Sequence, residues 1–236
     1  MKLLTWNCNL NFLKKFEIIE SFNSDILIIQ ECERLSPNFF PEYNFFWTGS
    51  NDKKGLAVIV SKSIESKISH LHNQKLINFL PIETERLNIL GVWAYNHRAS
   101  KFGNNVSGYT SDALFFYQNW LAESKILIVG GDFNNSVVWD KGEKKNNFSN
   151  IQSSLRNLDF KSIYHHQREE DYGTEKLPTF FHTKNKNKSY HIDFLFLKGL
   201  TIKTLDIGSY EDWIGFSDHM PLICEIWNQV FLCRSF

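Results

Sequence analysis

The sequence predicts an α/β fold built as a single domain. Its 236 residues suffice for one large hydrophobic core and are few for two ordinary domains. Two apolar runs of strand length, 26–29 and 126–129, carry the branched residues typical of strands that are buried on both faces. A segment with helical spacing precedes the first run and follows an earlier strand, which favours a strand–helix–strand crossover.

The N-terminal elements place polar residues at strand ends. Residues 2–6 are apolar and β-prone, and they predict a first strand that ends at Asn7. Asn11 is positioned to cap the helix that follows. Residues 25–31 predict a second buried strand, which ends in Glu31. The helix between them is indicated by apolar residues at helical spacing: Phe12, Phe16, Ile19 and Phe22.

The middle of the chain changes character between residues 45 and 95. Short strand-like runs separated by turns predict an antiparallel meander over 56–60, 67–71, 77–82 and 87–94. Residues 109–124 return to a helical pattern, with Thr110 or Ser111 as the cap. The next strand then runs through two glycines, which allow a sharp turn, and delivers Asp132 and Asn134.

The C-terminal part of the chain predicts a helix, a hairpin and two further strands. A polar loop over 135–150 leads into a helix around Ile151 and Leu155, and an irregular stretch covers 172–178. A strand beginning at 179–182 and a lysine-bearing loop predict a hairpin, and residues 190–197 alternate as a further strand. The adjacent histidines 165 and 166 are expected to lie in a strand and to point to opposite faces, which argues against a metal pair. Asp218 and His219 stand just ahead of a last strand.

Composition limits the possible partners. The 26 basic residues balance the 26 acidic ones, which argues against an extended footprint for duplex nucleic acid but allows a local basic patch. No apolar run reaches the length of a membrane span, and the N-terminus lacks a signal-peptide core, so we expect a cytoplasmic protein and a monomer. The cysteines show no CxxC spacing and are predicted to be reduced, buried thiols: Cys8, Cys32, Cys224 and Cys233.

The polar residues at the strand ends suggest one site. If the strands are neighbours, these residues converge on one edge of the sheet. Oxygen ligands such as Glu31 and Asp218 suit Mg²⁺ or Mn²⁺. A carboxylate that is free of the metal, such as Asp132, can deprotonate a water, and a charged histidine can stabilise negative charge developing on phosphorus.

Five motifs in order resemble those of the endonuclease/exonuclease/phosphatase superfamily, and they span residues 5 to 219. They are Thr5-Trp-Asn7, Gln30-Glu31, Gly131-Asp-Phe-Asn134, His191-Ile-Asp193 and Ser217-Asp-His219. The motifs are most similar to the exonuclease III or apurinic endonuclease-like and deadenylase-like branches. The resemblance implies a single catalytic domain over 1–236, a DNase I-like four-layer α/β sandwich with two packed mixed sheets flanked by helices, and divalent-metal-dependent hydrolysis of a phosphoester.

The resemblance also implies roles for individual residues. Glu31 is the principal metal ligand, with Asn7 beside it and Asp218 close to the metal. Asp132 activates the water and Asn134 orients the phosphate. His219 stabilises the charge of the transition state, and Asp193 holds its ring in place. Tyr95 matches an active-site tyrosine of the family through a shorter motif. Asn9 departs from the apurinic endonucleases, which usually carry an aspartate there.

Two further residues are candidates for contacts with the substrate. His182 resembles a residue of the substrate-side loop of deadenylase-like members, and Trp139, in the polar loop after Asp132, is a candidate for base stacking. We expect a nuclease acting on DNA, RNA or a nucleotide. One alternative is a phosphatase or phosphodiesterase acting on a lipid or inositol phosphate headgroup. Another is a catalytically silent binding protein on the same fold, and no protein partner can be inferred.

Overall fold

The computed structural model describes residues 1–95 and 108–227. Its strands are β1 (Lys2–Asn7), β2 (Ile26–Cys32), β3 (Tyr43–Asn51), β4 (Lys54–Ser61), β5 (Ser66–Ile68), β6 (Phe79–Thr84), β7 (Asn88–Trp93), β8 (Leu127–Asp132), β9 (Lys161–Ser162), β10 (Phe180–Phe181), β11 (Ser189–Tyr190), β12 (Asp193–Lys198), β13 (Thr201–Ile207) and β14 (Leu222–Trp227). The helices are α1 (Phe16–Glu20), α2 (Thr110–Phe116), α3 (Gln118–Glu123), α4 (Phe148–Asn157), α5 (Ile163–Arg168) and α6 (Tyr210–Trp213).

The strands form two six-stranded mixed sheets and one small hairpin. The first sheet has the order β13-β14-β1-β2-β4-β3, the second has the order β5-β6-β7-β8-β12-β9, and β10 pairs with β11. Each large sheet contains one parallel pair, β1 with β2 and β7 with β8, next to antiparallel neighbours. The carboxyl ends of these four strands therefore lie beside the amino ends of β12 and β14. We call this side of the molecule the polar edge.

Hydrophobic clusters account for the layers. One cluster lies between the two sheets and includes Ile28, Val58 and Ile128. A second joins the outer face of the second sheet to α2 and α4, through residues such as Phe148, and a third covers the outer face of the first sheet around Phe16. Two packed mixed sheets flanked by helices confirm the predicted four-layer α/β sandwich.

The N-terminal predictions are confirmed in part. Strand β1 ends at Asn7 as predicted, whereas β2 continues past Glu31 to Cys32. The predicted first helix is a 3₁₀ turn over Phe12–Lys15 followed by the short α1. Asn11 does not cap it: its backbone is left-handed and its side chain makes no capping hydrogen bond. The predicted meander is divided between the sheets, because β4 joins the first sheet while β5–β7 join the second.

Other corrections concern the helices. The predicted helix 109–124 consists of α2 and α3, and neither Thr110 nor Ser111 caps it, because the N-cap is Tyr109 with no side-chain bond. His165 and His166 lie in α5, so the expectation of a strand there was wrong. Strands β3, β9 and β13 and helix α6 were not predicted. Strand β9 and helix α6 are short, β13 is largely exposed, and β3 is half-buried along most of its length, so none has a clear alternation of buried and exposed positions.

The predicted state of the cysteines is confirmed for the described residues. Cys8, Cys32 and Cys224 are buried free thiols, and Cys233 lies outside the described residues. Across residues 1–95 and 108–227, no helix is long and apolar enough to cross a membrane.

Candidate active site

Asp132 is fixed at the end of β8 by the glycine before it. Gly131 has φ +140, and a Cβ there would lie 1.9 Å from the carbonyl oxygen of Val92 on the parallel neighbour β7. Only glycine tolerates this close approach. The chain therefore keeps its pairing with β7 up to the last residue of the strand, and the Asp132 side chain is fully buried at the polar edge.

Amide groups from both sheets hold the Asp132 carboxylate. Its Oδ2 accepts hydrogen bonds from Nδ2 of Asn7 and from Nδ2 of Asn134, each at 2.9 Å, and its Oδ1 accepts from the Asn134 backbone N–H at 2.8 Å. The amide of Asn134 also donates to the carbonyl oxygen of Ala94 at 3.0 Å. Asn7 thus connects the first sheet to the second, and Asn134 orients the carboxylate from the following loop.

His219 and Asp193 form a second buried pair at the same edge. The Nδ1 atom of His219 lies 3.1 and 2.9 Å from the two carboxylate oxygens of Asp193. The backbone of His219 is fixed as well, since its N–H donates to Oγ of Ser217 and its carbonyl accepts from the indole N–H of Trp6. Asp193 pairs directly with Asp132 across β12 and β8, which brings both acids beside one imidazole.

Burial and mutual charge shift the protonation of this group. Burial and the nearby Asp193 raise the pKa of Asp132 to about 7, although His219 and the Asn7 hydrogen bond oppose the shift. Burial disfavours the charge of His219, but Asp193 and Asp132 outweigh it and raise its pKa to about 10. Ligand atoms of the three residues lie within 4.8 Å of one another. The imidazole is therefore a cation at neutral pH, held between two acids.

Glu31 reaches the polar edge through an irregularity in its sheet. Gln30 pairs with Leu56 and Cys32 pairs with Gly55, so Glu31 is an extra residue with no partner on β4. Its φ is +58, a left-handed conformation that is uncommon for a side chain with a Cβ. The bulge turns the carboxylate out of the ladder, and its Oε1 lies 2.9 Å from Nζ of Lys54.

Further oxygen atoms lie beside the Asn7 loop. Oδ1 of Asp218 accepts a hydrogen bond from Nδ2 of Asn9 at 3.1 Å, and Oδ1 of Asn7 accepts from the Asn9 backbone N–H at 3.1 Å. Asn9 therefore links Asn7 to Asp218. Carboxylate and amide oxygens such as these suit a hard divalent cation, and the cysteines that would favour a softer metal are absent from this group.

Aromatic side chains extend from the histidine along one side of the site. Phe180 lies 4.6 Å from the His219 ring, Tyr190 lies 6.5 Å from Phe180, and Trp139 lies 4.9 Å from Tyr190. All three are partly exposed. We call Phe180, Tyr190 and Trp139 the aromatic wall. The exposed His182 lies at its end, 6.0 Å from Phe180.

Most of the residues singled out from the sequence converge here. The structure brings to the polar edge Asn7, Glu31, Asp132, Asn134, Asp193, Asp218 and His219. Tyr95 follows β7 and its ring lies 4.8 Å from that of Trp93. His182 and Trp139 lie farther out, along the aromatic wall. Sequence reasoning missed Lys54, Phe180 and Tyr190. Phe180 stands in the strand predicted to begin at 179–182, but the position of Lys54 depends on the bulge, for which the sequence gives no signal.

Comparison with known proteins gives one family. The model of the Endonuclease/Exonuclease/phosphatase family matches residues 4–219. None of the curated proteins compared with the chain matches it in sequence.

Solved structures share the fold at low identity. A 3′-5′ exonuclease (NExo) from Neisseria meningitidis is 17% identical with a TM-score of 0.70, and the match covers 96% of this chain and 100% of that one. A Neisseria 3′ phosphatase bound to a product DNA hairpin is 18% identical with a TM-score of 0.70, covering 96% and 99% of the two chains. The endonuclease domain of TRAS1, a telomere-specific non-LTR retrotransposon, is 14% identical with a TM-score of 0.66, covering 97% and 98%.

Proposed function

The chain belongs to the Endonuclease/Exonuclease/phosphatase family, and we propose that it is a divalent-metal-dependent nuclease that hydrolyses phosphodiester bonds of DNA or RNA. The observation that carries the proposal is the convergence of a buried carboxylate, Asp132, and a buried imidazolium, His219, at an edge lined with oxygen ligands. The printed descriptions of the similar structures (an exonuclease, a 3′ phosphatase with a DNA hairpin, an endonuclease domain) support a nucleic-acid substrate.

The residues present fit a hard divalent cation. In the described part of the chain, the Glu31 carboxylate has Lys54 as its partner on Oε1, and Asp218 and Asn7 each contribute an oxygen that already accepts one hydrogen bond from Asn9. Glu31, Asn7 and Asp218 would hold Mg²⁺ or Mn²⁺. Such an ion, when bound, neutralises charge on a phosphate oxygen.

The group of Asp132, Asp193 and His219 is less suited to hold that ion, although it is compact. Three N–H donors already occupy the Asp132 carboxylate, and both oxygens of Asp193 face the His219 ring. An ion at this position would have to replace these contacts with buried charge. We therefore assign this group to proton transfer and charge stabilisation.

Asp132 is the proposed general base. A carboxylate whose pKa is raised toward neutrality can accept a proton from a water molecule that attacks phosphorus. Asn7 and Asn134 position it from two sides. Because the Asn134 amide donates to Asp132 and to Ala94, we assign it first to holding the base. A phosphate contact would require one of these bonds to be exchanged.

His219 is the proposed stabiliser of the transition state. Its charge lies where negative charge develops on the phosphate, and Asp193 fixes the ring so that little reorganisation is needed. Asp193 also keeps the imidazole protonated.

The aromatic wall favours an unpaired nucleotide as the substrate. Partly exposed aromatic rings that start at the catalytic histidine offer stacking surfaces for bases. The balanced net charge of the chain also favours a short or single-stranded substrate over a long duplex.

The proposal is tested by assaying the purified protein with Mg²⁺ or Mn²⁺ against several substrates. These are labelled single-stranded DNA, single-stranded RNA, an abasic duplex and an inositol polyphosphate. We expect cleavage of a single-stranded nucleic acid that stops on chelation of the metal. The Asp132→Asn protein, prepared in parallel, controls for contaminating nuclease. Cleavage of the inositol compound alone would contradict the proposal and favour a headgroup phosphatase.

A further inference from the structure

Lys54 is joined to the proposed metal ligand and has no assigned role. Its Nζ lies 2.9 Å from Oε1 of Glu31 and 5.1 Å from the centre of the Trp93 ring. Lys54 begins β4, directly before Gly55, which pairs with Cys32 on the far side of the bulge. The same irregularity that turns Glu31 out of its strand therefore places the lysine beside it.

The position of the ammonium group has an electrostatic consequence. Glu31 is mostly buried, with 19% of its side chain exposed, and such a carboxylate needs a nearby cation. Lys54 supplies that cation in the absence of metal. A divalent ion requires the same carboxylate, and two cations bound to one carboxylate repel each other at contact distance.

The lysine is also placed to reach a substrate. Its side chain is 37% exposed. The ammonium group lies over the ring of Trp93, a buried residue of the second sheet that pairs with Asp132. An ammonium group is a compact charge with three donors and binds phosphate well.

We propose that Lys54 is the internal counter-ion of the metal site. Its ammonium competes with the divalent cation for Glu31 and, when released from that carboxylate, binds a phosphate oxygen of the substrate. The inference rests on the proposed function, since it takes Glu31 as a metal ligand. It implies that metal and substrate strengthen each other's binding, because each favours the same position of the lysine.

The first test measures Mn²⁺ binding directly, by the electron paramagnetic resonance signal of free Mn²⁺ in the absence of substrate. We expect Lys54→Met to lower the Kd for Mn²⁺ roughly tenfold, by removal of a repelling charge. Lys54→Arg keeps the charge and should bind as the parent does. Lys62→Met is the matched control, because Lys62 follows the other end of β4 and donates to the carbonyl of Pro41.

The outcomes separate the inference from the function on which it rests. An unchanged or higher Kd in Lys54→Met would overturn the competition with the metal. If Glu31→Gln binds Mn²⁺ as tightly as the parent, the metal site itself is misassigned and the proposed function loses its metal ligand. If Glu31→Gln binds weakly while Lys54→Met is unchanged, only the role of Lys54 fails.

A second readout tests the phosphate contact. At saturating Mn²⁺, Lys54→Met should raise KM for a single-stranded oligonucleotide about tenfold, the usual worth of one charged contact, with a smaller change in kcat. An unchanged KM would overturn this contact.

Discussion

Two histidine–carboxylate pairs are buried within residues 1–95 and 108–227, and their surroundings give them different properties. His219 contacts Asp193 at 2.9 Å at the polar edge, and His165 contacts Glu175 at 3.1 Å beneath the loop that follows α5. In both pairs the side chains are less than a tenth exposed. Residue types and distances alone do not distinguish them.

The pair at the polar edge is surrounded by excess negative charge. Asp132 and Asp218 both act on His219 in addition to Asp193, and together they raise its pKa despite burial. Phe180 lies against one face of the ring and leads to the partly exposed aromatic wall. Three acids therefore act on this one imidazole, and its aromatic neighbour leads to a partly exposed surface.

The second pair is closed on all sides. Nδ1 of His165 lies 2.8 Å from Oγ of Ser162, and Tyr172 stacks on its ring with centroids 3.6 Å apart. The other oxygen of Glu175 accepts from the Gly173 N–H at 2.9 Å. Each hydrogen-bonding atom of the pair is thus used within one short stretch of chain. The pair holds the 169–178 loop against α5.

The comparison shows that function follows from what surrounds a pair. A histidine–carboxylate contact with its remaining atoms satisfied locally fixes a loop. The same contact beside further acids and an open surface has the properties that we propose serve catalysis.

The largest expected effect is a loss of activity on substitution at the polar edge. Asp132→Asn and His219→Ala should each lower kcat/KM for the nucleic-acid substrate by at least about a hundredfold, the usual worth of a general base or a charge stabiliser. Steady-state assays measure this, and thermal denaturation checks that the variants fold. An unchanged rate in either folded variant would show that the assigned site is wrong.

At the second pair we expect a smaller effect, which changes the stability of the protein and leaves its activity nearly unchanged. Glu175→Gln should lower the free energy of unfolding by about 1–3 kcal/mol, because a buried charged hydrogen bond is lost. Its kcat should remain within about twofold of the parent at a temperature where both are folded. Urea denaturation measures the stability, and Glu143→Gln at an exposed position is the control. A hundredfold loss of kcat in folded Glu175→Gln would mean that the second pair also serves catalysis.

The smallest effect concerns pH and tests whether His191, which lies near both pairs, is buried in its neutral form. Its Nδ1 lies 2.8 Å from the Leu177 carbonyl, its Nε2 has no hydrogen-bond partner among the described residues, and burial lowers its pKa from 6.5. The titratable groups around it are Tyr164, His165, Glu175 and Asp193. Below its ordinary pKa the unfolded chain binds a proton that the folded chain does not, so the free energy of unfolding falls as pH falls.

His191→Asn removes this titration and keeps a donor for Leu177. The free energy of unfolding of this variant should therefore fall less between about pH 7.5 and 5.5 than that of the parent. Urea denaturation at the two pH values measures the difference, with the exposed His166→Asn as the control. Equal losses in parent and His191→Asn would exclude a buried neutral histidine at this position.

The sequence predicts those parts of the site that local patterns determine. Asp132 follows a buried strand and two glycines, and His219 precedes a terminal strand, so both could be placed at strand ends from sequence alone. The ordered motifs then predicted the four-layer sandwich.

Other features depend on register and distant contacts. The pairing of Glu31 with Lys54 depends on a one-residue shift between β2 and β4, and the second pair joins residues from α5 and an irregular loop. The predicted helix caps were wrong for a related reason. Asn11 is an ordinary capping residue by type, but its backbone is left-handed, and the distant Glu33 accepts the hydrogen bonds from the first N–H groups of the turn, those of Phe12 and Leu13.

The bulge at Glu31 ties the position of this carboxylate to the register between β2 and β4. Removal of this one residue would align Gln30 with Leu56 and Cys32 with Gly55 in an uninterrupted ladder, and would relieve the left-handed backbone at the same position. The sheet would then be more regular and the site would lack its principal carboxylate.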